Sequence, residues 1–357
     1  MMTSTQEGKI ITVLGEIEPE RAGITLPHEH IMVDTTSWYV EPEEMSKKIL
    51  AHSKVTLSLL GKIRANPRLV LDNMVLDEIE VAIDELKEFK RWGGETIVSA
   101  TSRGLARDPD ILVAMARETG LNIIMGSGYY VYKTHPPNLT ERKIDEICDE
   151  IVRDITEGVG PSKIRAGIIG EIGISNPMYP EEEKVLRAAA RAQIKTGVAI
   201  SVHPGLEGGT EMDILNILEE EGVDLNRVIM GHQDGRYPLR DDENKIKLHE
   251  SMMKRGVYCE YDAWGRGWDY WEVGAPPDYE RIYAAKYLIE RGCIKRLLFS
   301  HDVCTKTQLI KYGGYGYTHL LTNLPNMLRR TGLTEKEVNT IFNTIFIENP
   351  KEVLTFT

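Results

Sequence analysis

Eight short apolar segments alternate along the chain with stretches of helical spacing, and five of them end on a histidine or a carboxylate; this predicts a parallel α/β barrel of the (β/α)8, or TIM, type. Segments such as Asn122 to Gly126 and Val198 to His203 are apolar on both faces, as strands of a helix-covered parallel sheet must be. An open doubly wound sheet is the runner-up. It is disfavoured because no glycine-rich dinucleotide fingerprint follows an early strand.

The elements follow in order. Lys9 to Leu14 alternates and meets Gly15, which predicts a short N-terminal hairpin closing one end of the barrel. Gly23 to Val33 is the first strand. Residues 37 to 74 pair with no strand and read as a helical insertion after it, placed where such insertions build pockets. Val75, Ile79, Ala82, Leu86 and Phe89 recur with helical spacing, and Gly93 and Gly94 stop that helix before the strand Glu95 to Ala100. Asp108-Pro109 caps the next helix, Gly120 ends it, and Asn122 to Gly126 is a strand. Thr140 to Glu157, Pro180 to Gly197, Glu211 to Glu221, Lys245 to Arg255 and Asp278 to Arg291 are helices. They lead in turn to strands at Ile164 to Ile172, Val198 to His203, Arg227 to His232, Val257 to Tyr261 and Arg296 to Asp302, with the 140–157 helix before the first of these. Thr334 and Glu337 have capping-box spacing and start a last helix, which Asn349-Pro350 is expected to end. No linker or low-complexity tract interrupts the alternation, so residues 1–357 are read as one domain.

Composition narrows the function classes. Of 357 residues, 41% are hydrophobic and 27% charged, which is the balance of a globular chain with a sizeable core. A formal charge of -12 argues against nucleic acid and against an anionic membrane face, and leaves a small molecule as the expected partner. There is no apolar leader and no bilayer-length apolar run, so a cytoplasmic protein is expected. Cys148, Cys259, Cys293 and Cys304 lack metal-finger or redox spacing and are read as free thiols.

The chemistry concentrates at strand ends. In Thr25-Leu26-Pro27-His28-Glu29-His30, residues two apart point to one face of a strand, so His28 and His30 form a two-nitrogen claw while Glu29 points away. Glu171, His203, His232 and Asp302 end four further strands. Strand ends of a barrel converge on one face. Each residue alone has a bland reading as a turn cap, a surface loop residue or one half of an ion pair. Six convergent donors exceed what one tetrahedral ion takes and suit two ions sharing a bridge, zinc first, with manganese, cobalt or iron as alternatives. His301 precedes Asp302 and should face the other way, and His52, His135, His249 and His319 fit no strand end.

These residues also carry a resemblance. Thr25 to His30, Ala166 to Glu171, His203-Pro-Gly, Gly231-His232, Glu260-Tyr-Asp262, Ser300-His301-Asp302 to Lys306 and Tyr312 to Tyr317 together resemble the phosphotriesterase family of the amidohydrolase superfamily, closest to its phosphotriesterase-related branch. The resemblance spans essentially the whole chain. It implies a binuclear centre in which His28, His30 and Asp302 hold the more buried ion, His203 and His232 the more exposed one, and a strand-four carboxylate bridges them. One departure stands out: the carboxylated lysine that bridges in many members would fall at Gly170, and Glu171 takes its place one residue later. A bulge among the glycines of 167 to 173 would turn Glu171 inward.

Two divalent ions make hydroxide available at neutral pH, with Asp302 as the base that takes the proton and returns it to the leaving group. Hydrolysis is therefore the expected reaction. Tyr130 matches a pocket tyrosine of lactonase relatives and is expected at the reacting oxygen. The loop Trp264-Gly-Arg266-Gly-Trp268-Asp-Tyr270-Trp271 pairs aromatic faces with a cation, and Trp264, Arg266 and Lys306 are the expected contacts to an anionic, partly apolar substrate. An amide or ester of the N-acyl amino-acid kind comes first, a sugar lactone or phosphoric ester second, and a non-catalytic metal-binding protein last. A homodimer is the expected assembly.

Overall fold

The structure is a computed structural model and describes residues 8–206, 208–235, 239, 242–266 and 275–357. One parallel eight-stranded sheet runs β1 (Ile24–Glu29), β2 (Gly94–Ser99), β3 (Asn122–Ser127), β4 (Ile168–Gly173), β5 (Ile200–His203), β6 (Val228–Met230), β7 (Tyr258–Tyr261) and β8 (Leu297–Phe299), each paired with the next. Helices α1 (Ile79–Arg91), α2 (Pro109–Thr119), α3 (Ile144–Thr156), α4 (Pro180–Thr196), α5 (Glu211–Glu221), α6 (Glu243–Lys254) and α7 (Asp278–Glu290) fill the crossovers after β1 to β7. The capping signals act as read: Asp108 accepts from the Ile111 amide, and Gly120 and Gly197 end their helices at positive φ.

The expected barrel is therefore present, and its closure is specific. Between β8 and β1 the join is made by side chain and backbone rather than by a ladder. His28 N donates to Ser300 Oγ at 3.1 Å, Asp302 N donates to His28 O at 3.2 Å, and Glu29 accepts from Ser300 Oγ at 2.8 Å and Val303 N at 2.9 Å. The Glu29 side chain, turned away from the claw, thus fixes the loop that carries Asp302. His301 turns the same way and contacts Glu29 at 2.8 Å through Nδ1.

Inside the barrel, Val98, Ile124, Ile168, Ala199, Ile229, Tyr258 and Leu298 form an apolar layer, one from each of seven neighbouring strands or the residue just before. The hairpin Ile10–Thr12 and Gly15–Ile17 caps this end through Ile10, so the polar end is the opposite one. There the insertion forms short helices Met45–Ala51 and Leu60–Ala65, and its ends pair as a two-stranded ribbon, Val33–Asp34 with Val75–Leu76.

Several boundaries differ from expectation: the first strand stops at Glu29 rather than Val33, and the fourth starts at Ile168 rather than Ile164. The strands before His232 and Asp302 stop at Met230 and Phe299, because both ligand-type residues adopt left-handed backbone, φ 56 and φ 48, which no strand tolerates. Pro350 does not end the last helix. The helix Glu335–Asn343, capped by Thr334, widens into a π-turn at Thr344–Glu348, and Pro350 then sits in the first turn of Asn349–Leu354, where it needs no amide partner. A further helix, α8 (His319–Arg330), follows β8 where the sequence reading places none, and holds Pro325 in its interior. All four cysteines are free.

Candidate metal centre

The polar end of the barrel gathers six donor side chains within a few ångströms. Glu171 is at their middle. Its Oε1 lies 3.3 Å from His30 Nε2, while Oε2 lies 3.2 Å from His203 Nδ1, 3.4 Å from His232 Nε2 and 3.6 Å from His28 Nε2. Asp302 Oδ1 lies 3.2 Å from His30 Nε2 and 3.8 Å from His28 Nε2. Three groups of three residues able to hold an ion result: His28, His30 and Asp302; Glu171, His203 and His232; and His28, His232 and Asp262.

Local backbone explains how Glu171 reaches this place. The β4 to β5 ladder slips between Ile169 and Ile172, so Gly170 and Glu171 stand outside the regular register and the expected bulge is present. Gly170 has φ 126, and a Cβ there would lie 2.3 Å from the Ser201 carbonyl oxygen. No side chain fits at position 170, lysine included, which leaves Glu171 to supply strand-four charge.

A second set of residues grips the histidines from behind. His28 Nδ1 meets Glu260 at 3.1 Å, His232 Nδ1 meets Asp262 at 2.9 Å and His30 Nδ1 meets the Thr101 hydroxyl at 2.9 Å. Such contacts fix which ring nitrogen faces inward. Glu260 and Asp262 stand in the family-like motif of the sequence, which by itself gives them no role. The available signal was two acids two residues apart in an otherwise buried strand, hence on one face.

The electrostatics fit a cation. Glu171, Glu260, Asp262 and Asp302 are all buried, and burial alone opposes charge on every member of the cluster. Burial works against a proton on His28, yet Glu171, Glu260 and Asp262 push it up to about 10. His232 is likewise driven well up, against burial, by Asp262 and Glu171. The carboxylates thus call for positive charge at the centre. His28 Nε2 is buried and has no hydrogen-bond partner, while facing Glu171 and Asp302. An orphaned imidazole nitrogen aimed into a carboxylate cluster is the donor set of a metal site.

The cluster opens into a cavity of about 380 Å³. Tyr130 lines it, with its hydroxyl 3.2 Å from His203 Nδ1. Burial, with the charge of Glu171, raises the Tyr130 phenol well above its usual range, so it stays a donor. Arg266 also lines the cavity, but its guanidinium is held on Asp302 Oδ2 at 2.7 Å.

Two expected substrate contacts lie elsewhere. Trp264 is 1% exposed and packs its ring 4.9 Å from Phe299, on the helical side of β8, so it is core. Lys306 is buried with Nζ 2.7 Å from Glu78 and 3.1 Å from Asp72, and these carboxylates bind the insertion to the loop after β8. It is no anion site. Residues 267–271 of the aromatic loop lie outside the described residues. Among the described residues, no helix is long and apolar enough to cross a membrane.

Comparison with known proteins agrees with this geometry. The profile of the phosphotriesterase family matches residues 8–354. The N-acetyltaurine hydrolase of Homo sapiens is 38% identical over 359 residues, 99% of each chain, and that of Dictyostelium discoideum is 36% identical over 98% of each. Among solved structures, a resiniferatoxin-binding protein from Rhodobacter sphaeroides superposes with a TM-score of 0.92 at 36% identity, covering 97% of this chain and 95% of that one.

Proposed function

The chain belongs to the phosphotriesterase family, and on that premise we propose that it is a binuclear metal-dependent hydrolase of amide bonds in small anionic N-acyl compounds, with N-acetyltaurine the first substrate to test. The observation that carries the reading is Glu171, whose two carboxylate oxygens face different histidines, His30 on one side and His203 with His232 on the other. His28, His30 and Asp302 would hold one ion and His203 and His232 the other, with Glu171 placed between the two sets. Zinc suits this mixture of imidazole and carboxylate best. The free thiols support a reducing, cytosolic compartment.

When bound, such a pair of ions supplies a nucleophile at neutral pH and polarises the scissile carbonyl. The chain's own residues do the rest. Burial would raise the Asp302 carboxyl, but Arg266 and His30 hold it well below the usual carboxylate range, so it is ionised and ready to accept the proton of the attacking water. Asp302 then returns that proton to the departing amine nitrogen. Tyr130, still protonated, donates to the oxygen that gains charge during attack. Trp38, Met74 and Leu105 give the cavity apolar walls that exclude bulk water.

A lactonase is the second reading, because fold and donor set serve both reactions. A hydrolysis screen of metal-loaded protein decides between them. N-acetyltaurine and N-acetyl-β-alanine should be cleaved with higher kcat/KM than γ- and δ-lactones or phosphate triesters. A reversed order would replace the amide reading with the lactone one.

A further inference from the structure

We infer that Glu182 is a positioning residue for the hydrolysis: it ties the loop that carries Tyr130 to the end of the strand that carries Glu171, and so sets where the Tyr130 hydroxyl stands. The inference rests on the part given to Tyr130 above. Glu181, Glu182 and Glu183 form the first turn of α4, where carboxylates suit the helix dipole, yet only Glu182 is fully buried. A carboxylate is seldom buried unless it is paired or hydrogen-bonded. Four donors from three segments meet this one. Its Oε1 accepts from the Tyr132 amide at 2.8 Å and the Ser175 hydroxyl at 2.7 Å, and its Oε2 accepts from the Ser175 amide at 2.8 Å and the Tyr179 amide at 3.0 Å.

Tyr132 follows β3 and Ser175 follows β4, so one carboxylate spans the loops after two paired strands. The loops meet closely there. A Cβ on Gly173, the last residue of β4, would stand 2.3 Å from the Val131 nitrogen and 2.5 Å from the Tyr130 carbonyl carbon. The Gly173 amide donates to the Tyr129 carbonyl at 3.2 Å, and the next amide, that of Ile174, donates to the His203 carbonyl at 2.9 Å. From the other side His135 donates through Nε2 to the Tyr130 carbonyl at 2.7 Å. Tyr130 is thus bracketed by Gly173 before it, His135 on it and Glu182 two residues after it. The bracket places the Tyr130 hydroxyl 3.2 Å from His203 Nδ1. A donor aimed at a reacting oxygen acts through being held at one distance.

The clamp requires an acid. A carboxylate only accepts, which is what three amides and a hydroxyl demand. A glutamine keeps the Ser175 and Tyr179 amides on its single oxygen. Its NH2 then faces the Ser175 hydroxyl, which can accept, and the Tyr132 amide, which cannot. Glu182→Gln therefore releases the Tyr130 loop and leaves the start of α4 in place.

The test is a double-mutant cycle with Tyr130→Phe, run on metal-loaded protein with N-acetyltaurine as substrate. Tyr130→Phe should lower kcat about 100-fold, the worth of one donor to a developing oxyanion. Glu182→Gln should lower kcat about 10-fold with KM and bound metal unchanged, because the donor is displaced rather than removed. Together they should cost about 100-fold and not about 1000-fold, since Glu182 acts through a hydroxyl that is already gone. A residue that merely supports the fold would multiply its loss. Multiplied losses, or a wild-type rate in Glu182→Gln, overturn the inference. If Glu182→Gln yields no folded protein, Glu182→Asp takes its place with the same outcomes, being one methylene too short to span all three segments. If the wild type does not cleave N-acetyltaurine, or Tyr130→Phe cleaves it as fast as the wild type, the proposed function is at fault instead. Amide hydrogen exchange then decides Glu182 alone. The Tyr132 amide should exchange at least about tenfold faster in Glu182→Gln while those of Ser175 and Tyr179 keep their protection. Equal protection of Tyr132 in both proteins removes the clamp.

Discussion

Arg266 donates to Asp302 Oδ2 at 2.7 Å while Oδ1 of the same carboxylate stands 3.2 Å from His30 Nε2, so the group assigned to proton transfer is held at both ends. The Arg266 guanidinium reaches the Asp302 backbone carbonyl as well. With Asp302 in left-handed backbone at φ 48, this grip sets where its carboxylate points. Asp302→Asn keeps one oxygen ligand but accepts no proton, and should lower kcat by about 100- to 10,000-fold while metal remains bound. Arg266→Gln leaves the carboxylate in place but loosens it, and a smaller loss of about 10- to 100-fold is expected. Elemental analysis beside steady-state kinetics separates the two effects. Substantial turnover by metal-loaded Asp302→Asn would remove Asp302 from the role of base.

Glu171 carries the second prediction. A glutamate is charged without prior reaction with carbon dioxide, and burial notwithstanding, His28 and His203 hold it well below the usual carboxylate range. Apoprotein should therefore take up close to two divalent ions per chain from metal alone, and bicarbonate should add nothing. Glu171→Gln withdraws the charge that offsets repulsion between two cations a few ångströms apart, and should lose one ion or most of the activity. A requirement for bicarbonate during reconstitution of the wild type would point to a carboxylated lysine, for which position 170 has no room.

How far the sequence is readable follows from the range of each interaction. The barrel is legible because strand and helix periods are local, and caps such as Asp108 and Thr334 act within one turn. The six donors are legible because strand order alone brings strand ends together. Side-chain direction just past a strand is not, since it depends on backbone that leaves the β region. Trp264 and Lys306 follow β7 and β8 by a few residues, as Arg266 and Asp302 do, yet only the latter pair line the cavity. Lys306 is drawn away by Asp72 and Glu78, more than two hundred residues distant in sequence, and no local pattern announces such a partner. The Arg68 and Trp38 contact lies within the insertion, which shows no period from which to read it.

His249 provides a prediction about stability rather than turnover. On the buried face of α6, its Nδ1 pairs with the Tyr261 hydroxyl at 3.0 Å, a contact that a neutral imidazole makes in either tautomer. Burial, aided by Lys245 and opposed by Asp242, lowers its pKa from 6.5 to about 3. The unfolded chain therefore binds this proton more readily than the folded one. Above pH 6.5 the residue is neutral in both states and costs nothing; as pH falls from 6.5 toward 3 the folded state loses stability, by up to about 1.4 kcal/mol per pH unit. His249→Gln cannot be protonated and keeps a side chain able to accept from Tyr261. Its urea midpoint should fall less steeply with acid than that of the wild type, with the two curves converging in slope above neutrality. Metal loss affects both proteins alike, so the difference between them isolates the imidazole. Parallel midpoints from pH 7 to pH 4 would mean that His249 opens to solvent, and that its contact with Tyr261 does not hold α6 against β7.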